Sequence, residues 1–125
     1  MYFTDLRKRR LVNMNHFSRL PEFEKEFSRL TQKYPSLESD LQIFERLLLQ
    51  APTGIGTNFT IIHSAPEIKI VKSRLSCRSL RKRSMRVIYA YHRKSIDFMY
   101  IEIYFKGEKE NEDRQRIKEY LKNRG

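Results

Sequence analysis

The chain has 125 residues and a net charge of +11, with 26 Lys and Arg against 15 Asp and Glu. An apolar share of 39%, including eight Phe and seven Tyr, suffices for one folded core and does not fit a charge-rich disordered chain. No apolar run approaches the roughly 20 residues of a membrane-spanning helix, and a single cysteine, Cys77, excludes an intramolecular disulfide.

Residues 1–13 read as a flexible basic leader, with "RKRR" at 7–10 and no apolar stretch after it such as a secretory signal needs. One domain is expected over 14–125. "NHFSRL" (15–20) has the look of a short strand. Pro21 suits a first helical position, and Phe23, Phe27, Leu30 and Tyr34 recur on one helical face until Pro35. Ser36 is the expected N-cap of a second helix whose Leu37, Leu41, Phe44 and Leu48 repeat that spacing up to Pro52. Two helices joined so tightly form a hairpin.

The period then changes to two. "FTIIH" (59–63), "EIKIVKSRL" (67–75), "MRVIYAY" (85–91) and "IDFMYIEIYF" (96–105) are β-branched and aromatic, separated by short polar stretches, as in an antiparallel meander. Met99, Ile101 and Ile103 are expected on one face, with Tyr100, Glu102 and Tyr104 on the other. "ENEDRQRIKEYLKNR" (110–124) reads as a charged helix whose apolar patch is Ile117, Tyr120 and Leu121, too sparse to hold it tightly. The fold class is α+β: an N-terminal helical hairpin on one face of a small twisted, mainly antiparallel sheet, with a C-terminal helix.

Charge is distributed unevenly over these elements. From Lys69 to Lys94 there are ten Lys and Arg and no acid, +10 of the total +11. A polyanion is the implied partner, nucleic acid first. With Val71, Ser73 and Leu75 inward, alternation sends Lys72 and Arg74 to the opposite face, with Arg86, Tyr104 and Lys106 beside them. "RSLRKRS" (78–84) lies at the edge. Further cations for RNA binding are Lys69, Arg78, Arg81, Lys82, Arg83, Arg93, Lys94 and Lys109. Cys77 reads as a structural strand residue, and a lone thiol fits a reducing cytoplasm.

"RLPEFEKEFSRLTQKYPSLESDL" (19–41), "KSRLSC" (72–77), "RVIYAY" (86–91) and "IEIYFKGEKENED" (101–113) together resemble the RelE/ParE superfamily of bacterial toxins, over roughly residues 15–121. The resemblance implies the toxin of a type II toxin–antitoxin pair in the bacterial cytoplasm, with a cognate antitoxin as partner. In the RelE-like branch it implies a metal-independent, cofactor-free endoribonuclease that cuts messenger RNA at the ribosome. Its working residues would fall on Lys72 and Arg74 (K-x-R), Arg86 (R-x-I-Y), Tyr104, and Lys106 or Lys109. The insert "CRSLRKRSM" leaves the parts of Arg78, Arg81 and Arg83 open.

Cleavage to a cyclic phosphate needs a base on the 2′-OH, charge at the phosphate and an acid for the 5′-oxygen. His16, His63 and His92 stand isolated, and only His92 is near the basic stretch. Lys72, crowded by cations, is the expected base, with Arg74 and Arg86 on the phosphate, Tyr104 stacked on a nucleobase and Lys106 as acid. No metal-ligand cluster is visible, and the carboxylates of "GEKENED" read as the acidic first turn of a helix. A ParE-like poison of DNA gyrase and a non-catalytic RNA- or DNA-binding domain are the alternatives.

Overall fold

The computed structural model describes residues 16–81 and 83–124. The elements run β1 (Phe17–Arg19), α1 (Pro21–Lys33), α2 (Leu37–Gln50), β2 (Phe59–Ser64), β3 (Ile68–Ser76), a 3-10 turn (Arg78–Leu80), β4 (Ser84–His92), β5 (Asp97–Phe105) and α3 (Arg114–Arg124). The leader at 1–13 and Lys82 lie outside the described residues.

Pro21 opens α1, Glu22 and Glu24 occupy its positive first turn, and Lys33 its last. Phe23, Phe27 and Leu30 form its buried stripe, as do Leu37, Leu41, Phe44 and Leu48 in α2. Ser36 does not cap α2: its backbone is helical and its side chain makes no capping bond. Instead Ser36 Oγ donates to Asp40 Oδ2 at 2.7 Å and accepts the Ser79 N–H at 2.8 Å, tying the helical hairpin to the β3–β4 connection.

The five strands form one sheet in the order β1-β5-β4-β3-β2, with β1 parallel to β5 and every other pair antiparallel. The hairpin lies on the face carrying Val71, Leu75, Met85, Val87, Tyr89, Phe98, Tyr100 and Ile103. Here the expected alternation of β5 fails. Ile88 pairs with Glu102 but Tyr89 pairs with Tyr100, so Ile101 is an extra residue and the parity of the strand flips. Tyr100 therefore faces the helices, stacking on Phe23 at 4.8 Å, while Met99 and Ile101 face away from Ile103.

The second face is apolar at one end, where Ile70, Ile88, Ala90 and Ile101 pack under Ile117 and Tyr120 of α3. That helix starts at Arg114 rather than 110, because Asp113 Oδ1 accepts the Arg116 N–H at 3.0 Å and acts as the N-cap. Residues 110–112 are loop, so the "GEKENED" carboxylates are no helical first turn. The sparse apolar patch is also supplemented. Arg116 grips Glu26 of α1 with two bonds of 3.0 and 2.8 Å and donates to the Ile101 carbonyl at 2.8 Å. Glu26 in turn accepts the Ile103 N–H at 3.2 Å, satisfying the edge of β5 beyond the end of β1. Among the described residues no helix is long and apolar enough to cross a membrane.

Candidate nucleic-acid interface

Because α3 covers only one end of the second face, the other end is open, and strand register decides what it presents. Arg74 pairs with Arg86, and Arg86 with Tyr104, making one cross-strand row; Lys72, Ile88 and Glu102 make the next. Lys106 follows at the end of β5. A groove of about 310 Å³ runs along these rows, lined by Thr60, Lys72, Arg74, Arg86, Lys106 and Glu112. It continues into a depression of about 370 Å³ where Arg83, Ser84 and Gly107 join Arg74, Arg86 and Lys106. Four of the five residues expected to work together thus share one groove, with Arg83 from the insert added.

The groove holds like charges close together. Burial, and then the charge of Arg74 opposite, lower the pKa of Arg86 from its ordinary value, though a guanidinium remains a cation. Among the described residues Arg86 finds no carboxylate; its guanidinium donates to Ser84 Oγ at 2.9 Å. Facing cations on adjacent strands weaken a sheet. An anion between them removes that repulsion.

Lys72 and Tyr104 differ from expectation. Lys72 Nζ donates to Glu112 Oε1 at 2.8 Å, and that bond raises its pKa above the ordinary lysine value, against the opposing effect of burial. In this pair Lys72 is held protonated, the opposite of the lowered pKa expected from its cationic neighbours. Tyr104 is 3% exposed and its hydroxyl makes no hydrogen bond among the described residues, so its ring is packed and not offered for stacking. Burial raises its phenol pKa, opposed by the charge of Lys72 beside it.

The loop that follows β5 brings Glu112 to the groove. Fully buried Glu102 accepts Lys109 Nζ and the Asp113 N–H at 2.7 Å, pegging both ends of the turn to the sheet. Glu112, its side chain only 7% exposed, then lies against Lys72, with Arg114 at 3.6 Å. Burial pushes its carboxyl up, but the Lys72 bond and the neighbouring charges outweigh this and leave it below the ordinary glutamate value.

The remaining predicted cations are dispersed. Lys109 is engaged by Glu102 and lies 5.7 Å above the Tyr104 ring. Arg78 turns to the helical side, pairing with Asp40 at 2.9 Å. Arg81 stands exposed in the turn after it with a φ of 60°. Lys69 faces the hairpin side and donates to Ser64. Arg93 and Lys94 sit in the β4–β5 turn, where the Arg93 N–H meets Glu67, five residues and roughly 17 Å from Lys72 along β3. His92 bonds the Tyr120 hydroxyl at the α3 end. Cys77 is buried in the hairpin core.

Sequence reasoning missed Glu112, Glu102 and Arg116. One signal was available: an Asp three residues before Arg116 is a favoured cap, and capping at Asp113 excludes Glu112 from the helix. Among the described residues no group of three His, Cys, Asp or Glu is placed to hold a metal ion. No family model matches the chain, and no curated protein matches it.

Proposed function

We propose that the protein is the toxin of a type II toxin–antitoxin pair, acting in the bacterial cytoplasm as a RelE-like endoribonuclease on translated messenger RNA. The observation that carries this reading is the groove itself: Arg74 directly opposite Arg86, with Lys72, Lys106 and Arg83 around them and, among the described residues, no carboxylate on either arginine. Converging cations suit a phosphodiester backbone. The groove is open and runs across strands, as an extended single strand requires.

For a neutralising partner, the reading points to the opposite side of the sheet. A cleft of about 300 Å³ is lined by Ile43, Phe44, Leu47 and Phe59, and the Asp40–Arg78 pair also lines it. Ile43 is 55% exposed, and the cleft suits a peptide with apolar anchors. A second reading, RNA binding without cleavage, is favoured by the burial of Tyr104 and the neutralisation of Lys72.

Induced expression of the full chain, with primer extension on a translated message, separates the readings. New 5′ ends inside the coding region that disappear in an Arg86→Ala variant are expected. An intact message alongside inhibited growth supports binding alone, and gyrase-dependent DNA breaks support the ParE-like alternative.

A further inference from the structure

A ribonuclease in this groove needs a proton acceptor, and the groove offers few. Of its lining groups Lys72, Arg74, Arg86 and Lys106 are cations at neutral pH, while Thr57, Asn58, Thr60 and Ser73 do not accept a proton. Glu112 is the one carboxylate among the described residues that line it. It also lines the adjoining cavity of about 410 Å³, with Ile62, His63, Arg114, Ile117, Lys118 and Leu121. It therefore stands on the ridge between a cationic groove and a half-apolar pocket. Those are the two environments that a phosphate and the nucleoside on its 5′ side demand.

Resting on the ribonuclease reading, we propose that Glu112 is the general base: it takes the 2′-OH proton of the nucleotide whose base occupies the Ile62–Ile117 pocket. The 2′-oxygen forms a bond to phosphorus in the groove, where Arg74 and Arg86 neutralise the gathering charge. The bond from phosphorus to the 5′-oxygen breaks, and that oxygen takes a proton from Lys106. The products are a 2′,3′-cyclic phosphate and a 5′-hydroxyl. Lys72 keeps its proton throughout and orients the carboxylate at 2.8 Å. The pegs from Glu102 to Lys109 and to the Asp113 N–H fix the loop, so the carboxylate is already in position before substrate arrives.

The test uses the full-length protein on two substrates, a short single-stranded RNA and a message on ribosomes. Glu112→Gln is expected to cut either substrate about 100-fold more slowly at saturation, a typical loss for a missing general base. It should bind an uncleavable 2′-O-methyl RNA at least as tightly as the parent, because a negative charge has left the groove; that binding also shows the variant is folded. Glu112→Asp should recover part of the rate. A Glu112→Gln protein that cuts as fast as the parent, or faster, overturns the assignment alone, since the carboxylate then only masks Lys72. A parent protein that leaves both substrates whole overturns the ribonuclease reading and this inference together.

Discussion

Arg74 and Arg86 stand directly opposite each other on adjacent strands, two cations in register with no carboxylate on either among the described residues. Such a pair costs the sheet up to ~1 kcal/mol. Removing one member therefore separates function from fold. Arg74→Ala should leave the urea midpoint unchanged or raise stability by up to about 0.5 kcal/mol, and should weaken RNA binding about tenfold, the loss of one charged hydrogen bond. A clear drop in stability would mean that Arg74 is structural.

Arg116 is the polar anchor of α3. It bonds Glu26 bidentately and reaches the Ile101 carbonyl, with its side chain 15% exposed. Arg116→Ala should destabilise the protein by about 1–3 kcal/mol, because Glu26 loses its partner in a half-buried place. Hydrogen exchange should rise first in residues 114–124. Unchanged protection there would show that Ile117 and Tyr120 suffice.

Acid sensitivity follows from Asp40. Burial raises its pKa, but hydrogen bonds from Ser36 and Arg78 outweigh burial and leave it below the ordinary aspartate value. A carboxyl with a depressed folded pKa stabilises above its unfolded value, near 3.9, and that contribution fades as pH falls through the folded value. Glu45, raised by burial, runs the other way, favouring the fold only while protonated. Asp40→Asn should therefore lose less stability than the parent between pH 6 and pH 3. Equal losses in urea titrations would remove Asp40 as a source.

Most elements were legible in the sequence because their stripes are long and periodic: Phe23, Phe27 and Leu30, then Leu37, Leu41, Phe44 and Leu48, end where prolines follow. The faces of β5 were not legible, since a one-residue bulge at Ile101 reverses parity without altering local composition. In the groove, Lys72, Arg74 and Lys106 came from alternation along single strands, which survives folding, and Arg86 from the cost of burying an unpaired cation. Glu112 came from a loop that crosses the sheet, and the contact between residues 72 and 112 has no periodic trace. Tyr104 alternated as foreseen, but its burial depends on Lys109 and the loop above it.

The central claim is that the groove holds RNA phosphates, and counterion release tests it most directly. Affinity for a 2′-O-methyl RNA, measured against salt by fluorescence anisotropy, should give a log–log slope of about −2 to −3, from three to four phosphate contacts at ~0.7 each on a single strand. In the Arg74→Ala/Arg86→Ala double variant the slope should shrink by about 1.4. A slope near zero in the parent, or one left unchanged by the double substitution, would contradict the claim.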